Sequence, residues 1–191
     1  TTMTLVSAVD EETITLTSGT ADEDLTLTDL TVTDLTTLNL SGTGDVVITN
    51  AVGGAVALST VDAAGVTGVA TVNASASLVA VTATASTGVF TFTGGQGADT
   101  INGGVADDTL TGGAGADTIN GGAGIDTIAG GAGDDTLNGD AGADVITGGA
   151  GADTINGGDG ADTTLNGGAG ADTITGGAGD DNFVMTLTEG V

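Results

Sequence analysis

Ten aspartates recur through the second half of the chain at intervals of nine residues, with a single interval of ten. They are Asp99, Asp108, Asp117, Asp126, Asp135, Asp144, Asp153, Asp162, Asp172 and Asp181. Oxygen is the ligand that a hard cation such as Ca²⁺ prefers, and Ca²⁺ takes about six to eight oxygens from carboxylates and backbone carbonyls. The regular spacing therefore indicates a row of similar calcium sites.

Glycines surround each of these aspartates. The aspartate is the sixth residue of a unit in which glycine stands first, second and fourth, as in residues 112–120. Glycine permits tight turns with positive φ, which leave carbonyl oxygens free to point at a cation. We therefore expect the carbonyls of the second- and fourth-place glycines to complete the metal sites. These glycines are Gly95, Gly97, Gly104, Gly113, Gly115, Gly122, Gly124, Gly131, Gly133, Gly142, Gly149, Gly151, Gly158, Gly160, Gly168, Gly170, Gly177 and Gly179.

The last three residues of each unit predict a short β-strand. The central residue is apolar and its neighbours are mostly polar, so only one face of the strand can be buried. We expect the apolar residues to stack into a narrow core between two sheets. They are Ile101, Leu110, Ile119, Ile128, Leu137, Ile146, Ile155, Leu165, Ile174 and Phe183.

Two units make one coil of a parallel β-helix, which places Asp117 above Asp135. A cation between coils needs units i and i+2, so ten units give about eight calcium sites and about +16 of charge. The same segment contains fifteen acidic residues, which nearly balance that charge. Without the ions we expect the segment to be disordered, because one apolar residue in nine cannot offset the loss of chain entropy.

Three units depart from the pattern. Ala106 stands at a fourth place and Asp140 at a second place, where the other units have glycine. The unit from Gly157 to Asn166 has one extra residue, either Thr163 or Thr164. We expect a small bulge there that keeps Leu165 facing inward.

These repeats resemble those of RTX proteins, and the resemblance covers residues 94–184, nearly half the chain. It implies a calcium-binding β-roll that folds on meeting extracellular calcium, and export from a Gram-negative bacterium by type I secretion. Similar repeats occur on proteases, lipases, toxins, adhesins and surface-layer proteins. The resemblance by itself therefore does not choose among these functions.

The composition excludes several functions. The chain has no Lys, Arg or His, no Cys and a formal charge of −26. The usual activators of catalytic nucleophiles are therefore missing, and we expect no enzymatic activity. Without basic residues, nucleic-acid binding is implausible. No run of eighteen apolar residues occurs, so we expect no membrane insertion. Because the chain begins at Thr1 and not with Met, we expect it to be part of a longer protein.

Residues 1–93 are rich in Thr, Val, Leu and Ala, and apolar and polar residues alternate in short runs. This alternation predicts strands. They cover residues 13–17, 25–28, 38–41, 46–49, 56–59, 70–73, 78–82 and 89–93. A β-sandwich and a less regular parallel β-solenoid both fit, and we favour the solenoid because it can continue into the β-roll. The predicted division is thus residues 1–93, residues 94–184 and a tail of residues 185–191.

The first region also resembles the Thr- and Ala-rich solenoids of RTX-type surface-layer proteins, through sequences such as Leu38-Asn39-Leu40-Ser41. We therefore predict an all-β, secreted, extracellular structural protein that assembles with itself into a surface layer or fibre. Lipopolysaccharide or another surface glycan, bound through calcium, is a further expected partner. The alternatives are an adhesin segment and the calcium-binding tail of a secreted hydrolase.

For three other features, namely an acidic cluster, rows of threonine and three phenylalanines, we expect an ordinary structural role. The acidic residues from Asp10 to Asp34 are more simply a solvated face than additional calcium ligands. Rows of outward threonines could contact ice, carbohydrate or a neighbouring subunit, but most such rows are solvated strand faces. Phe90, Phe92 and Phe183 stand at the two ends of the repeats, where we expect them to plug or cap the core.

Overall fold

A computed structural model describes residues 13–20, 23–27, 35–49 and 57–185 of the chain. Within these residues the protein is an all-β parallel solenoid built from two nine-stranded sheets, so the predicted fold class is confirmed. The strands pair in parallel in both halves, which excludes the antiparallel sandwich for the described part of residues 1–93. No helix in the described residues is long and apolar enough to cross a membrane.

Odd-numbered and even-numbered strands form separate sheets, here called the odd sheet and the even sheet. The odd sheet contains β1 Thr13–Thr17, β3 Thr37–Gly42, β5 Thr60–Val66, β7 Thr82–Thr84, β9 Thr100–Gly104, β11 Thr118–Ala123, β13 Thr136–Ala141, β15 Thr154–Asp159 and β17 Thr173–Ala178. The even sheet contains β2 Leu25–Leu27, β4 Val46–Ile48, β6 Ala70–Asn73, β8 Phe90–Thr93, β10 Thr109–Ala114, β12 Thr127–Ala132, β14 Val145–Ala150, β16 Thr164–Ala169 and β18 Phe183–Val184.

Both sheets continue without a break from the first region into the repeats. Strand β7 pairs with β9, and β8 pairs with β10 in a register that places Phe92 beside Leu110. Residues 93 and 94 therefore mark a change in sequence character within one continuous column of strands. Their use as a domain boundary stays a prediction.

The core changes character along this column. In the first region a strand typically buries two apolar side chains, such as Ile14 and Leu16 in β1 or Phe90 and Phe92 in β8. From Ile101 to Leu165, each repeat buries a single Ile or Leu, and glycine and aspartate occupy the space beside it. Apolar burial near 25 cal/mol per Å² therefore contributes much more per strand in the first region.

The predicted stack of apolar residues forms from Ile101 to Leu165, all of which are buried. Ile174 is only partly buried. Phe183 is 48% exposed, so its predicted place in the core is wrong. It lies in β18, the last strand of the even sheet, where no further described strand covers it. Phe90 and Phe92, in contrast, are fully buried, with ring centroids 5.5 Å apart.

Two predicted strands of the first region are displaced. The prediction places a strand at 56–59; residue 56 lies outside the described residues, residues 57–59 are not in a strand, and β5 begins at Thr60, after the buried Leu58. Residues 78–81 are irregular, with a bend at Val79 and Leu78 52% exposed, and β7 begins at Thr82. The buried Ser77 hydroxyl lies 3.1 Å from the carbonyl oxygens of Leu58 and Val79. These contacts hold the chain in a turn, and the strand begins only after it.

The strands of the repeats are longer than predicted. From β10 to β17 they contain six residues, because each continues through the first three residues of the next unit. The first-place glycines do not adopt positive φ, contrary to our expectation. They are required for space, since a β-carbon at Gly121 would collide with Oδ2 of Asp126. Gly122, at a second place, does have positive φ, at 110°.

The irregular units behave largely as expected. Thr163 is the extra residue, because it lies in the turn before β16 and both it and Thr164 donate backbone N–H groups to the carbonyl of Asp144. Leu165 stays buried and pairs with Ile146, which confirms the prediction. Asp140 has a φ of 69°, the only positive value among the described non-glycine residues. Asp140 therefore keeps the positive φ that glycine has at the second place of most other units.

Candidate calcium sites

The ten repeat aspartates lie in the turns between the sheets, immediately before or close to the start of a strand. Those before odd strands form one row and those before even strands form a second row on the opposite edge of the solenoid. The eight from Asp99 to Asp162 are buried. Asp172 and Asp181, in the last described coil, are partly exposed.

One carboxylate oxygen of each aspartate holds the preceding coil. Oδ1 of Asp117 accepts a hydrogen bond from the backbone N–H of Asp99 at 2.7 Å, and Oδ1 of Asp135 accepts one from Asp117 at 2.8 Å. Equivalent bonds continue to Asp172 and Asp181, where the donor lies nineteen residues earlier. The row of aspartates therefore fastens each coil to the one before it, with Asp117 above Asp135 as expected.

The same bond joins the repeats to the first region. Asp99 accepts from the N–H of Val81 and Asp108 from the N–H of Phe90, both at 2.7 Å. Val81 and Phe90 are buried apolar residues, so in this register the inward-facing position changes from an apolar residue to aspartate. The last apolar coil thus provides the first two donors for the aspartate rows.

The second carboxylate oxygen has no protein partner in most of the repeats. Oδ2 is buried without a hydrogen bond in seven aspartates: Asp108, Asp117, Asp126, Asp135, Asp144, Asp153 and Asp162. An unsatisfied buried oxygen costs about 1–3 kcal/mol, and more when it is charged. A row of such oxygens fits a row of bound cations, because each cation would supply the missing partner. Asp99 differs, since its Oδ2 accepts a hydrogen bond from Gly95 at 3.0 Å.

Backbone carbonyls from the next coil face these free oxygens. A β-carbon placed on Gly130 would touch both Oδ2 of Asp135 and the carbonyl oxygen of Gly148. The same arrangement recurs at each first-place glycine from Gly94 to Gly157. At each of these glycines, a carboxylate oxygen and a carbonyl oxygen from the following coil lie next to the position that a β-carbon would occupy. These carbonyls belong to Gly112, Gly121, Gly130, Gly139, Gly148, Gly157, Gly167 and Gly176.

Sequence reasoning missed these first-place carbonyls. It assigned the carbonyl ligands to the second- and fourth-place glycines, although positive φ was expected at all three glycine places. The carbonyl of Gly95, a second-place residue, already accepts a hydrogen bond from Ala114 at 2.8 Å. The geometry therefore adds first-place carbonyls as further candidates, and the second- and fourth-place ligands stay a prediction.

A family model for the RTX calcium-binding nonapeptide repeat matches residues 93–128, 129–163 and 164–184. The chain carries RTX-type calcium-binding repeats. No curated protein and no solved structure matches the chain. RTX repeats bind calcium and are typically found in secreted, extracellular proteins. Calcium is therefore the cation for which the free Oδ2 atoms are suited.

Without a bound metal, burial makes the ionised form of the repeat aspartates unfavourable. Loss of solvent raises the pKa of Asp108, Asp117, Asp126 and Asp144 to about 6, against 3.8 for an ordinary aspartate. Neighbouring carboxylates raise the pKa further, while the backbone hydrogen bond to Oδ1 lowers it. Burial likewise raises the pKa of Asp99, Asp135, Asp153 and Asp162. A bound divalent cation would offset both the burial of the carboxylates and the repulsion between neighbouring carboxylates.

Each RTX site depends on the backbone for most of its ligands. Within residues 13–20, 23–27, 35–49 and 57–185, no three acidic side chains converge on a point where they could hold a metal. With few carboxylate oxygens within reach, carbonyls and water must provide the rest of the six to eight ligands that Ca²⁺ takes. Affinity then depends on the coils being stacked, which couples calcium binding to folding.

A second class of aspartate lies on the surface of the turns. Asp107 accepts a hydrogen bond from the N–H of Ile125, and Asp134 accepts one from Ala152, at 2.7 and 2.8 Å. The donors of these bonds lie in the following coil, whereas the donors to the buried aspartates lie in the preceding coil. In the acidic cluster of the first region, Asp24 accepts in the same forward way from Asp45. Asp10, Glu11, Glu12, Asp22, Asp29 and Asp34 lie outside the described residues.

Proposed function

We propose that the chain is a calcium-dependent structural protein that acts outside the cell and assembles from many copies into a surface layer or fibre. The observation that carries this proposal is which residues fill the interior of the solenoid. The described coils stack into one continuous column, and its inside is filled by apolar side chains and by carboxylates suited to calcium. A column of this kind has outer faces that repeat regularly along its length, as a structural protein that assembles from many copies requires.

Calcium has two roles in this proposal. It supplies the missing partner of the buried Oδ2 atoms, so the repeats fold when the chain meets extracellular calcium. It also offsets much of the formal charge of −26, which would otherwise keep copies apart. A contact with lipopolysaccharide or another acidic surface glycan, bridged by calcium, is part of the same proposal.

The proposal includes no catalytic activity. The chain contains no His, Lys, Arg or Cys, so the usual activators of a Ser, Cys or Thr nucleophile are missing, and carboxylates are its only common acid–base groups. The buried aspartates are occupied in holding coils together and in offering oxygens to a cation. A hydrolase activity would have to come from residues beyond these 191.

The test is a calcium titration with circular dichroism and light scattering recorded on one sample, and with Mg²⁺ as the matched control ion. We expect β-structure and large ordered assemblies to appear with Ca²⁺, to disappear with chelator, and not to appear with Mg²⁺, which demands a smaller octahedral site. A chain that folds with calcium but stays monomeric at all concentrations would contradict the assembly proposal and favour the adhesin or the hydrolase tail.

A further inference from the structure

The two outer faces of the solenoid differ in charge. None of the nine strands of the even sheet contains a charged residue. Three strands of the odd sheet do: Asp62 in β5, Asp140 in β13 and Asp159 in β15, all of them exposed. In a chain whose formal charge is −26, the outer face of the even sheet is thus an uncharged surface.

The uncharged face is also regular and partly apolar. Its outward residues stack in register from Thr26 through Thr91 and Thr127 to Thr164. Val47 and Val145 interrupt the threonines in this column, and Ala129 and Val184 occupy the column beside it. Methyl groups of Thr, Val and Ala can pack against a similar surface, and no charge has to be desolvated when they do.

The odd face is suited to water instead. Asn120 donates a side-chain hydrogen bond to Asn102 at 2.9 Å, and Asn138 donates one to Asn120 at 2.8 Å. These bonds join polar groups along the face, and the three carboxylates add charge near both ends of the strands. Two odd faces that approached each other would bring carboxylates together.

We infer that the outer face of the even sheet is the surface on which a second copy of this chain docks. This inference rests on the proposed function, since it names the contact by which copies assemble. Two molecules of equal negative charge can approach most closely through the face that contains no carboxylates. The carboxylates of the turns then stay at the edge of the contact, where they are hydrated.

The size of the face sets the strength of this contact. Parallel strands lie about 4.8 Å apart and rise about 3.3 Å per residue, which gives the face an area of roughly 600 Å². Two docked faces would bury about 1,200 Å², at the lower end of specific protein interfaces. The contact is therefore a reversible one that becomes stable when many copies assemble.

Matched pairs of substitutions test the inference in the full chain with calcium. Thr109→Glu with Thr127→Glu places two charges on the even face. Thr136→Glu with Thr154→Glu places two charges on the odd face. All four residues are exposed, stand at the same place in the repeat and follow a buried aspartate. Association is measured by sedimentation, and folding by circular dichroism in the same buffer.

We expect the even-face pair to weaken association at least about tenfold, because like charges would be brought together, and the odd-face pair to leave association within about twofold. Equal association of the wild type and both pairs would overturn the docking face but leave the proposed self-assembly intact. A wild-type chain that binds calcium and stays monomeric would overturn both. Binding to ice or to a glycan that the even-face pair abolishes in that monomer would assign the face to that ligand.

Labelling of single cysteines gives a second measurement that does not depend on added charge. The chain has no cysteine of its own, so Thr127→Cys and Thr136→Cys each introduce a single reactive thiol in a residue of similar size. In the assembled state we expect maleimide to react at least about tenfold more slowly at position 127 than in dilute monomer, and at an unchanged rate at position 136. Equal protection at both positions would contradict the inference.

Discussion

In seven of the ten repeats, from Asp108 to Asp162, the two oxygens of the aspartate carboxylate have different roles. Oδ1 accepts a backbone hydrogen bond from the preceding coil, and Oδ2 stays free in a buried place beside a glycine carbonyl of the following coil. The first task fixes the stacking of coils and the second requires a cation. Folding and calcium binding are therefore properties of the same side chain.

Substitution of one buried aspartate tests this division. Asp126→Asn keeps an Oδ1 acceptor for the N–H of Asp108 but removes the negative charge next to the cation. We expect the calcium concentration at half-folding to rise about three- to tenfold, because the ligand becomes neutral. Circular dichroism in a calcium titration measures it.

The control for this change is Asp107→Asn. Asp107 also accepts a backbone hydrogen bond, but it is exposed on the turn. We expect its substitution to leave the calcium midpoint within about twofold, because a surface charge contributes little. Equal shifts for the two variants would show that total charge, and not the buried Oδ2, controls binding.

Glycine at the first place is predicted to be indispensable for steric reasons. In Gly130→Ala the new methyl group would collide with Oδ2 of Asp135 and with the carbonyl of Gly148. We expect a loss of about 1–3 kcal/mol in the free energy of unfolding with calcium bound, measured by urea denaturation. Ala116→Ser, on an exposed turn, is the matched control and should change this free energy by less than about 0.5 kcal/mol.

At this scale the sequence predicts the burial of the apolar residues from Ile101 to Leu165 and the stacking of the sixth-place aspartates, because their types and spacing are nearly constant. It does not predict which oxygen of Asp135 is free, nor that the carbonyl of Gly148 faces it. Both depend on how one coil is placed on the next. Positive φ was expected at first-, second- and fourth-place glycines alike, so the steric reason for Gly130 and its equivalents was missed.

Strands of the first region and strands of the repeats have different sources of stability. The first region buries about two apolar residues per strand, as Leu38 and Leu40 do in β3. A repeat strand such as β11 buries one apolar side chain, next to glycine and a carboxylate. The former resembles an ordinary protein core, whereas the latter is complete only with metal.

Hydrogen exchange can separate the two kinds of strand within the intact chain. With chelator present, we expect amides in β3, β4, β6 and β8 to keep slow exchange, and amides from β11 to β16 to exchange about as fast as an unfolded chain. Calcium should restore protection to the repeats. Uniform loss of protection along the whole chain would contradict a first region that is independent of calcium.

Alternation of apolar and polar residues locates most strands of the first region, including β1, β4 and β8. It fails at β5 and β7, because apolar residues also occur in turns there. Leu58 is buried without belonging to a strand, and Leu78 is exposed beside the hydrogen bonds of Ser77. These turns are held by contacts between coils, which periodicity along the chain does not record.

At the scale of the whole molecule, pH and calcium act on the same two rows of aspartates. In the metal-free protein the folded-state pKa of Asp117 and three other aspartates is about 6, above the ordinary value of 3.8. The folded state therefore binds protons more tightly than the unfolded state. Stability from these groups is fully present below about pH 4 and is lost as pH rises through 6.

We accordingly expect the metal-free chain to gain β-structure when the pH falls from 7.5 to about 4.5, and to lose it again on return. Calcium affinity should change in the opposite direction, because protons and calcium compete for the same carboxylates. Circular dichroism with chelator across this pH range measures the first effect. Metal-free β-structure that increases with pH would contradict the raised pKa values.

The anomalous scattering of calcium in crystals of the full chain is the most direct test of the calcium sites. We predict two rows of peaks along the turns, each about 2.3–2.6 Å from a buried Oδ2, such as that of Asp126, and from backbone carbonyl oxygens of the same and the following coil. Peaks only at exposed carboxylates such as Asp107 and Asp134, with the buried Oδ2 atoms unoccupied, would contradict calcium as the partner that completes this interior.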